Sequence, residues 1–289
     1  MKLLLEWATI FENAAGRIPV RSQAREPVFQ LQSSGVAPKG SAPSHLVQLY
    51  DADDASLARN VGRFLHAGWQ RGDGLIVIAG REHTAAFAAE LDRLGVDAVA
   101  AARGGRLLVL DAQTTLARFL IDGRPDPELF RHVAVTALRS VRPDGGGIRA
   151  YGEMVGLLWQ AGQAPAAIEL EQMWNGLLAE EQLELFCAYP IDVFGDDFHV
   201  AGIDQVLCTH TQLVPTGSGL NLESAVERAM ADVLGSRAEG LRPLMKANYR
   251  PSWGELPRGE AVILWLRNNL PDYAGEILSR ARRYYRAVA

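Results

Sequence analysis

Polar and aromatic side chains follow several short apolar runs of this chain, at positions where strands of a parallel sheet would end. Ligands of open parallel sheets bind at the carboxyl ends of the strands. Carboxylates, an arginine, a histidine and tyrosines around an apolar interior make a plausible pocket for a small molecule. The candidate residues at these ends are Gln48, Tyr50, His83, Asp111, Arg149, Tyr151, Glu153 and Tyr189, and Trp174 on a later helix completes the set.

Several of these residues also have a purely structural interpretation. His83 is compatible with a solvated position in a first helical turn, and Asp111 with a cap of the helix that follows it. Arg149 and Glu153 are close enough in sequence to form an ion pair with each other. Trp174 has the apolar neighbours of a core residue.

A second chemical hypothesis is a metal-assisted hydrolase that uses Asp111, Glu153 and His83. Glu153 follows a central apolar run and begins a helix. Carboxylates at that position hold metal or activate water in ATPases of related architecture. This hypothesis is the alternative to a binding role at the same strand ends.

The turn after the first strand argues against nucleotide chemistry. Residues 51–56 read Asp-Ala-Asp-Asp-Ala-Ser, without the glycines and the lysine of a phosphate-binding loop. Their three carboxylates would repel a phosphate from the start of the helix. We therefore expect no nucleotide cofactor, no other cofactor and no nucleotide-hydrolysing activity, and we expect that the protein is not an enzyme.

The two cysteines fit neither a zinc motif nor a disulfide framework. Cys187 lies in an apolar run and is predicted to be a buried small hydrophobe. Cys208 and His210 alternate on a predicted short strand, Gln205–Leu213, and would need a distant third ligand to hold a metal. Free cysteines favour a cytoplasmic, reducing compartment.

Five predicted strands alternate with helices. The strands are His45–Tyr50, Leu75–Ala79, Leu107–Leu110, Ile148–Tyr151 and Leu183–Tyr189. The helices between and beside them are 53–69, 82–94, 114–121, 127–141, 153–161 and 164–180. This order predicts an α/β fold with a mostly parallel sheet and helices on both faces.

The chain divides into three segments. Residues 1–42 are expected to be a flexible leader, residues 43–215 an α/β domain, and residues 220–289 a small helical segment with helices near 222–246, 258–269 and 271–287. The net charge is −5, and residues 43–221 contain no lysine, which makes direct nucleic-acid binding unfavourable. No apolar run has the length of a membrane span.

The order of several motifs resembles one family. The motifs are His45-Leu-Val-Gln-Leu-Tyr-Asp, Gly72-Asp-Gly-Leu-Ile-Val-Ile-Ala, Leu110-Asp-Ala and Asp122-Gly-Arg-Pro-Asp, followed by Arg149-Ala-Tyr-Gly-Glu-Met-Val-Gly-Leu-Leu-Trp, Leu170-Glu-Gln-Met-Trp-Asn and Cys187-Ala-Tyr-Pro. They resemble the MEDS domain, a methanogen/methylotroph sensory domain found in a dichloromethane-responsive repressor. The resemblance implies a RecA/KaiC-like fold that has lost its phosphate loop and that senses small hydrocarbon derivatives.

The leading expectation is a sensory protein that binds a small molecule at the strand ends and signals through residues 220–289. The receiver would be a protein partner or a second copy of the chain. A third hypothesis is a non-catalytic scaffold that uses the same helices as an interaction surface.

Overall fold

The computed structural model of the protein describes residues 44–51, 55–141, 146–215, 219–247 and 256–287. The predicted leader, residues 1–42, and the predicted start of the first helix at Asp53 lie outside these residues. The strands are β1 His45–Leu49, β2 Gly74–Ala79, β3 Leu107–Asp111, β4 Leu120–Ile121, β5 Arg124–Pro125, β6 Ile148–Gly152, β7 Leu183–Tyr189 and β8 Gln212–Val214.

Twelve helices accompany these strands in the described part of the chain. They are α1 Ala55–Arg71, α2 Arg81–Arg93, α3 Ala98–Arg103, α4 Ala112–Ala117, α5 Pro127–Val141, α6 Met154–Gln160, α7 Ala164–Glu180, α8 Val200–Cys208, α9 Gly219–Leu234, α10 Arg237–Ala247, α11 Arg258–Asn269 and α12 Pro271–Arg286. None of the helices described by the structure combines the length and the apolar character that crossing a membrane would require.

Six strands form one parallel sheet in the order β3-β2-β6-β7-β1-β8. The predicted α/β class and all five predicted strands are confirmed. Every residue of β2 is buried, as expected for a strand covered on both faces. Strands β4 and β5 form a separate hairpin whose turn places Asp122 and Gly123 at positive φ, so the helix predicted over 114–121 ends early, at Ala117.

Each face of the sheet has its own apolar layer. The α1 face carries α1, α2 and α3, with Leu46, Phe186 and Ala188 turned toward them. The α7 face carries α5, α6 and α7, with Val47 and Cys187 turned toward them. Side chains alternate between the two faces along each strand, so residues next to each other in sequence belong to different layers.

The strand predicted over Gln205–Leu213 is wrong. Residues up to Cys208 form α8, and only Gln212–Val214 add a short sixth strand beside β1. The helix predicted over 222–246 is two helices, α9 and α10, separated at Gly235, which has a φ of +59°. Buried side chains of α9, α11 and α12 join the same apolar core as the α7 face. The four helices α9 to α12 are called the tail below.

Candidate functional site

Four of the predicted residues meet at the carboxyl ends of the strands on the α1 face. We call Tyr50, His83, Tyr151 and Glu153 the strand-end cluster. Glu153 is its centre: Oε1 accepts a hydrogen bond from the backbone N–H of Gly80 at 2.5 Å. Its other oxygen, Oε2, accepts from the Tyr151 hydroxyl at 3.2 Å and lies 2.5 Å from His83 Nδ1.

The local structure around β6 explains why Glu153 reaches these donors. Strand β6 lies beside β2, and the backbone N–H of Glu153 still donates to the carbonyl of Ile78 at 3.1 Å. Gly80, the N-cap of α2, has no side chain that could cap the helix itself. The Glu153 carboxylate takes that place, where the partial positive charge of a helix start favours an anion.

His83 and Tyr50 connect the cluster to solvent. Their rings meet edge to face with centroids 5.3 Å apart, and the His83 ring stacks on Phe87 at 5.8 Å. The side chain of His83 is 32% exposed, whereas that of Glu153 is 8% exposed. Tyr151 is fully buried. A molecule arriving from solvent therefore meets the imidazole before it reaches the carboxylate.

Burial and neighbouring charges shift the pKa values of three side chains of the cluster. The hydrogen bond to Glu153 raises the pKa of His83, although partial burial acts in the opposite direction. Burial, together with the negative charge of Glu153, raises the pKa of Tyr50 and of Tyr151. Near neutral pH both phenols are therefore neutral, and the imidazole is biased toward the charged form that pairs with the carboxylate.

Gln48 and Asp111 have structural partners. The side-chain N–H of Gln48 donates to Ser56 Oγ at 3.0 Å, and its oxygen accepts from Asn60 at 3.0 Å, so this buried amide ties β1 to α1. The carboxylate of Asp111 accepts from the N–H of Thr114 at 2.7 Å and caps α4. The capping interpretation of Asp111 is therefore confirmed.

Arg149 lies away from the strand-end cluster, and its predicted position at a strand end is wrong. It is the second residue of β6 and is paired in register with Leu75 near the start of β2. Its guanidinium lies 2.8 Å from Glu184 and donates to the carbonyl of Phe64 at 2.6 Å. The ion pair considered between Arg149 and Glu153 therefore does not form.

Trp174 lies on the α7 face, on the opposite side of the sheet from Glu153. Its indole meets Phe130 edge to face at 5.0 Å and is 3% exposed, which confirms the core interpretation. Both rings line an apolar cavity of about 10 Å³, on the scale of a single water molecule. Ile76, Ile78, Leu110, Thr115, Phe119, Val133, Ala134, Ala137, Leu138, Ala150 and Met154 complete its wall.

Tyr189 also faces away from the strand-end cluster. Its hydroxyl donates to Glu171 at 2.9 Å, inside a second buried polar cluster that includes His45, Cys187 and His210. Sequence reasoning missed this group. The available signals were weak: Glu171 and Asn175 lie four residues apart within the predicted helix 164–180, and His210 was paired with Cys208, which instead is exposed at the end of α8.

The strand-end cluster can hold a ligand through hydrogen bonds or move a proton between His83 and Glu153. Among the described residues, the group of three or more side chains that could share a metal ion lies in the second cluster. Asp111, the third member of the hydrolase hypothesis, uses its carboxylate to cap α4.

Comparison with known protein families gives a match over the α/β part of the chain. Residues 44–211, more than half of the chain, match the model of the MEDS family, described as the methanogen/methylotroph, DcmR sensory domain. No curated protein and no solved structure matches the chain. The match begins one residue before β1 and ends after α8, so it contains all four residues of the strand-end cluster. The chain therefore belongs to the MEDS family of sensory domains.

Proposed function

We propose that this protein senses a small organic molecule that binds at the strand-end cluster and that it signals through the tail. The observation that carries the proposal is the position of Glu153. One carboxylate collects hydrogen bonds from the start of α2, from His83 and from the strand residue Tyr151. A ligand that replaces any of these donors changes how α2 is held against β6.

The chemistry of the cluster favours an uncharged or weakly basic ligand with a short apolar part. Glu153 offers lone pairs and the neutral phenol of Tyr50 offers a donor, whereas the Tyr151 proton is already donated to Glu153. The buried ring of Phe87, 4.7 Å from that of Tyr151, makes the inner wall of the cluster apolar. A phosphate would meet the acidic residues after β1 instead of a lysine. A simple alcohol, aldehyde or other hydrocarbon derivative fits these constraints.

One contact leads from the cluster to the tail, and a second holds the tail against the segment after β7. Asp51, the residue after Tyr50, lies 3.4 Å from the guanidinium of Arg286 at the end of α12. The segment after β7 carries a second link, because Arg267 of α11 donates to the carbonyls of Phe194 at 3.0 Å and Gly195 at 2.5 Å. A ligand that binds one arrangement of these links more tightly shifts the population of tail arrangements.

A thermal-shift screen of the whole chain tests the proposal. The panel contains short alcohols, aldehydes and halocarbons, with ATP and magnesium as a separate arm. Binding to the native state raises the melting temperature by mass action. We expect at least one organic compound to raise it in the wild type and in Asp111→Asn, which alters only the cap of α4. Glu153→Gln, which keeps the shape but not the charge, should abolish the response.

Three outcomes would overturn the proposal. One is a panel without any response, and another is a response that survives in Glu153→Gln. A third is a rise in melting temperature with ATP and magnesium, which would place the protein among nucleotide-binding proteins. An apolar compound could instead enter the cavity beside Trp174. The variant Ala137→Val, which narrows that cavity, identifies this case. It would weaken the thermal response, whereas Glu153→Gln would leave the response unchanged.

A further inference from the structure

Four potential metal ligands come together on the α7 face, on the opposite side of the sheet from the strand-end cluster. His45 begins β1, Cys187 lies in β7, Glu171 projects from α7, and His210 precedes β8. Their ligand atoms all lie within 4.8 Å of one another, and all four residues are buried. We call these four residues the buried tetrad.

Several distances within the buried tetrad match those of a tetrahedral metal site, and the ligand atoms as a group lie within 4.8 Å of one another. Nitrogen, oxygen and sulfur ligands about 2.0–2.3 Å from a zinc ion lie about 3.3–3.6 Å from one another when the geometry is tetrahedral. His45 Nε2 lies 3.3 Å from Glu171 Oε2 and 3.4 Å from Cys187 Sγ. Cys187 Sγ lies 3.5 Å from Glu171 Oε2, and His210 Nε2 lies 3.2 Å from Glu171 Oε1.

The backbone fixes which ring nitrogen of each histidine faces the centre. His210 Nδ1 lies 2.6 Å from the carbonyl of Val206, and His45 Nδ1 lies 3.1 Å from the carbonyl of Thr209. A carbonyl oxygen only accepts, so each Nδ1 carries a proton and donates it. In the neutral rings both Nε2 atoms then present lone pairs to the carboxylate of Glu171, and the buried Nε2 of His210 has no hydrogen-bond partner.

Lone pairs that converge in this way need a positive charge between them. A proton on an imidazole Nε2 could supply this charge, and so could a divalent ion, whose charge the Glu171 carboxylate and a Cys187 thiolate would neutralise in a buried site. Outer contacts already orient the ligands: Tyr189 donates to Glu171 at 2.9 Å, and Asn175 Oδ1 lies 2.9 Å from His45 Nδ1. Such outer partners are typical of built metal sites.

We propose that His45, Glu171, Cys187 and His210 bind one divalent transition-metal ion, with Zn²⁺ as the expected species. The donor set of two imidazoles, one thiolate and one carboxylate suits zinc. All four positions of the tetrahedron come from the protein, which is typical of a structural site rather than a catalytic one. Binding releases the thiol proton of Cys187 to solvent. The ion would fasten β1, β7, α7 and the turn before β8 to one another.

The two cysteines provide a matched pair of variants. Cys187→Ser removes a proposed ligand, whereas Cys208→Ser removes an exposed thiol outside the tetrad. After loading with Zn²⁺ and extensive dialysis, the wild type and Cys208→Ser should each retain one ion per chain by elemental analysis. Cys187→Ser and His210→Gln should bind zinc about tenfold or more weakly in a competition with a chromophoric chelator.

Cobalt gives a test that does not depend on the folding of a variant. Co²⁺ bound to the wild type should show the intense visible absorption of a tetrahedral ion and a sulfur-to-cobalt charge-transfer band. The Cys208→Ser variant should keep that band. Failure of the wild type to retain either metal would overturn the proposal, as would a cobalt spectrum without thiolate coordination or zinc binding that is unchanged in Cys187→Ser.

Discussion

Phe194 is expected to anchor the tail to the segment that follows β7. Its ring is 9% exposed, meets Tyr285 at 5.8 Å and lies under the guanidinium of Arg282 at 5.7 Å. Replacing a buried phenylalanine by alanine costs about 3–5 kcal/mol. We expect the lower value, about 3 kcal/mol, for Phe194→Ala because the long Arg282 side chain can settle into part of the space.

Urea denaturation, monitored by far-ultraviolet circular dichroism, measures this change in the free energy of unfolding. With a slope of about 3 kcal/mol/M, the midpoint of Phe194→Ala should fall by about 1 M. Val200→Ala is the control, because Val200 begins α8 nearby and is 40% exposed, so its change should stay within about 0.5 kcal/mol. A midpoint for Phe194→Ala that matches this control would refute the reasoning that the tail rests on the Phe194 ring.

Three further predictions concern other parts of the molecule. Since the pKa of His83 is raised in the folded protein, its pairing with Glu153 should stabilise the fold fully below about pH 6.5, and this stabilisation should be lost as the pH rises through the folded pKa. In urea titrations across this pH range, the free energy of unfolding should decline less in Glu153→Gln than in the wild type. Arg149→Ala should cost about 2 kcal/mol in the same assay, less than for a fully buried pair because Glu184 is 30% exposed; an unchanged midpoint would contradict a structural role. Gly235→Ala should destabilise the chain by about 1 kcal/mol, because Gly235 has a φ of +59° between α9 and α10; a rise in melting temperature would show that the two helices merge instead.

The parts of the fold that local chemistry specifies were predictable. Strand β2 is a continuous apolar run, which is typical of a strand buried on both faces. Helix α11 has the predicted bounds, 258–269, and its C-terminal boundary is marked by Pro271. The strand predicted over Gln205–Leu213 failed because the outcome there depends on distant pairing. Strand β8 has only three residues, and β1, its partner, lies about 165 residues away in sequence.

The candidate site was predictable only in part for a related reason. Tyr151 and Glu153 were placed correctly because they lie at the end of the same buried run. Arg149 belongs to that run too, but it lies near the start of β6, and only the register with β2 shows this. Tyr189 was assigned to the strand ends, but the alternation of side chains directs it to the α7 face. The buried tetrad draws on segments that become neighbours only through the strand order.

The two clusters lie on opposite faces of the sheet, and β7 contacts both, because the Phe186 ring lies 6.0 Å from that of Tyr151 and Cys187 belongs to the buried tetrad. In β7, Phe186 and Ala188 face α1, while Cys187 and Tyr189 face α7. A shift of one residue in the pairing of a strand turns all of its side chains to the other face. One inserted or deleted residue inside β7 would therefore damage both clusters together, even if the sheet still formed. Both clusters depend on the register of this central strand, so such a change could not alter one cluster without also altering the other.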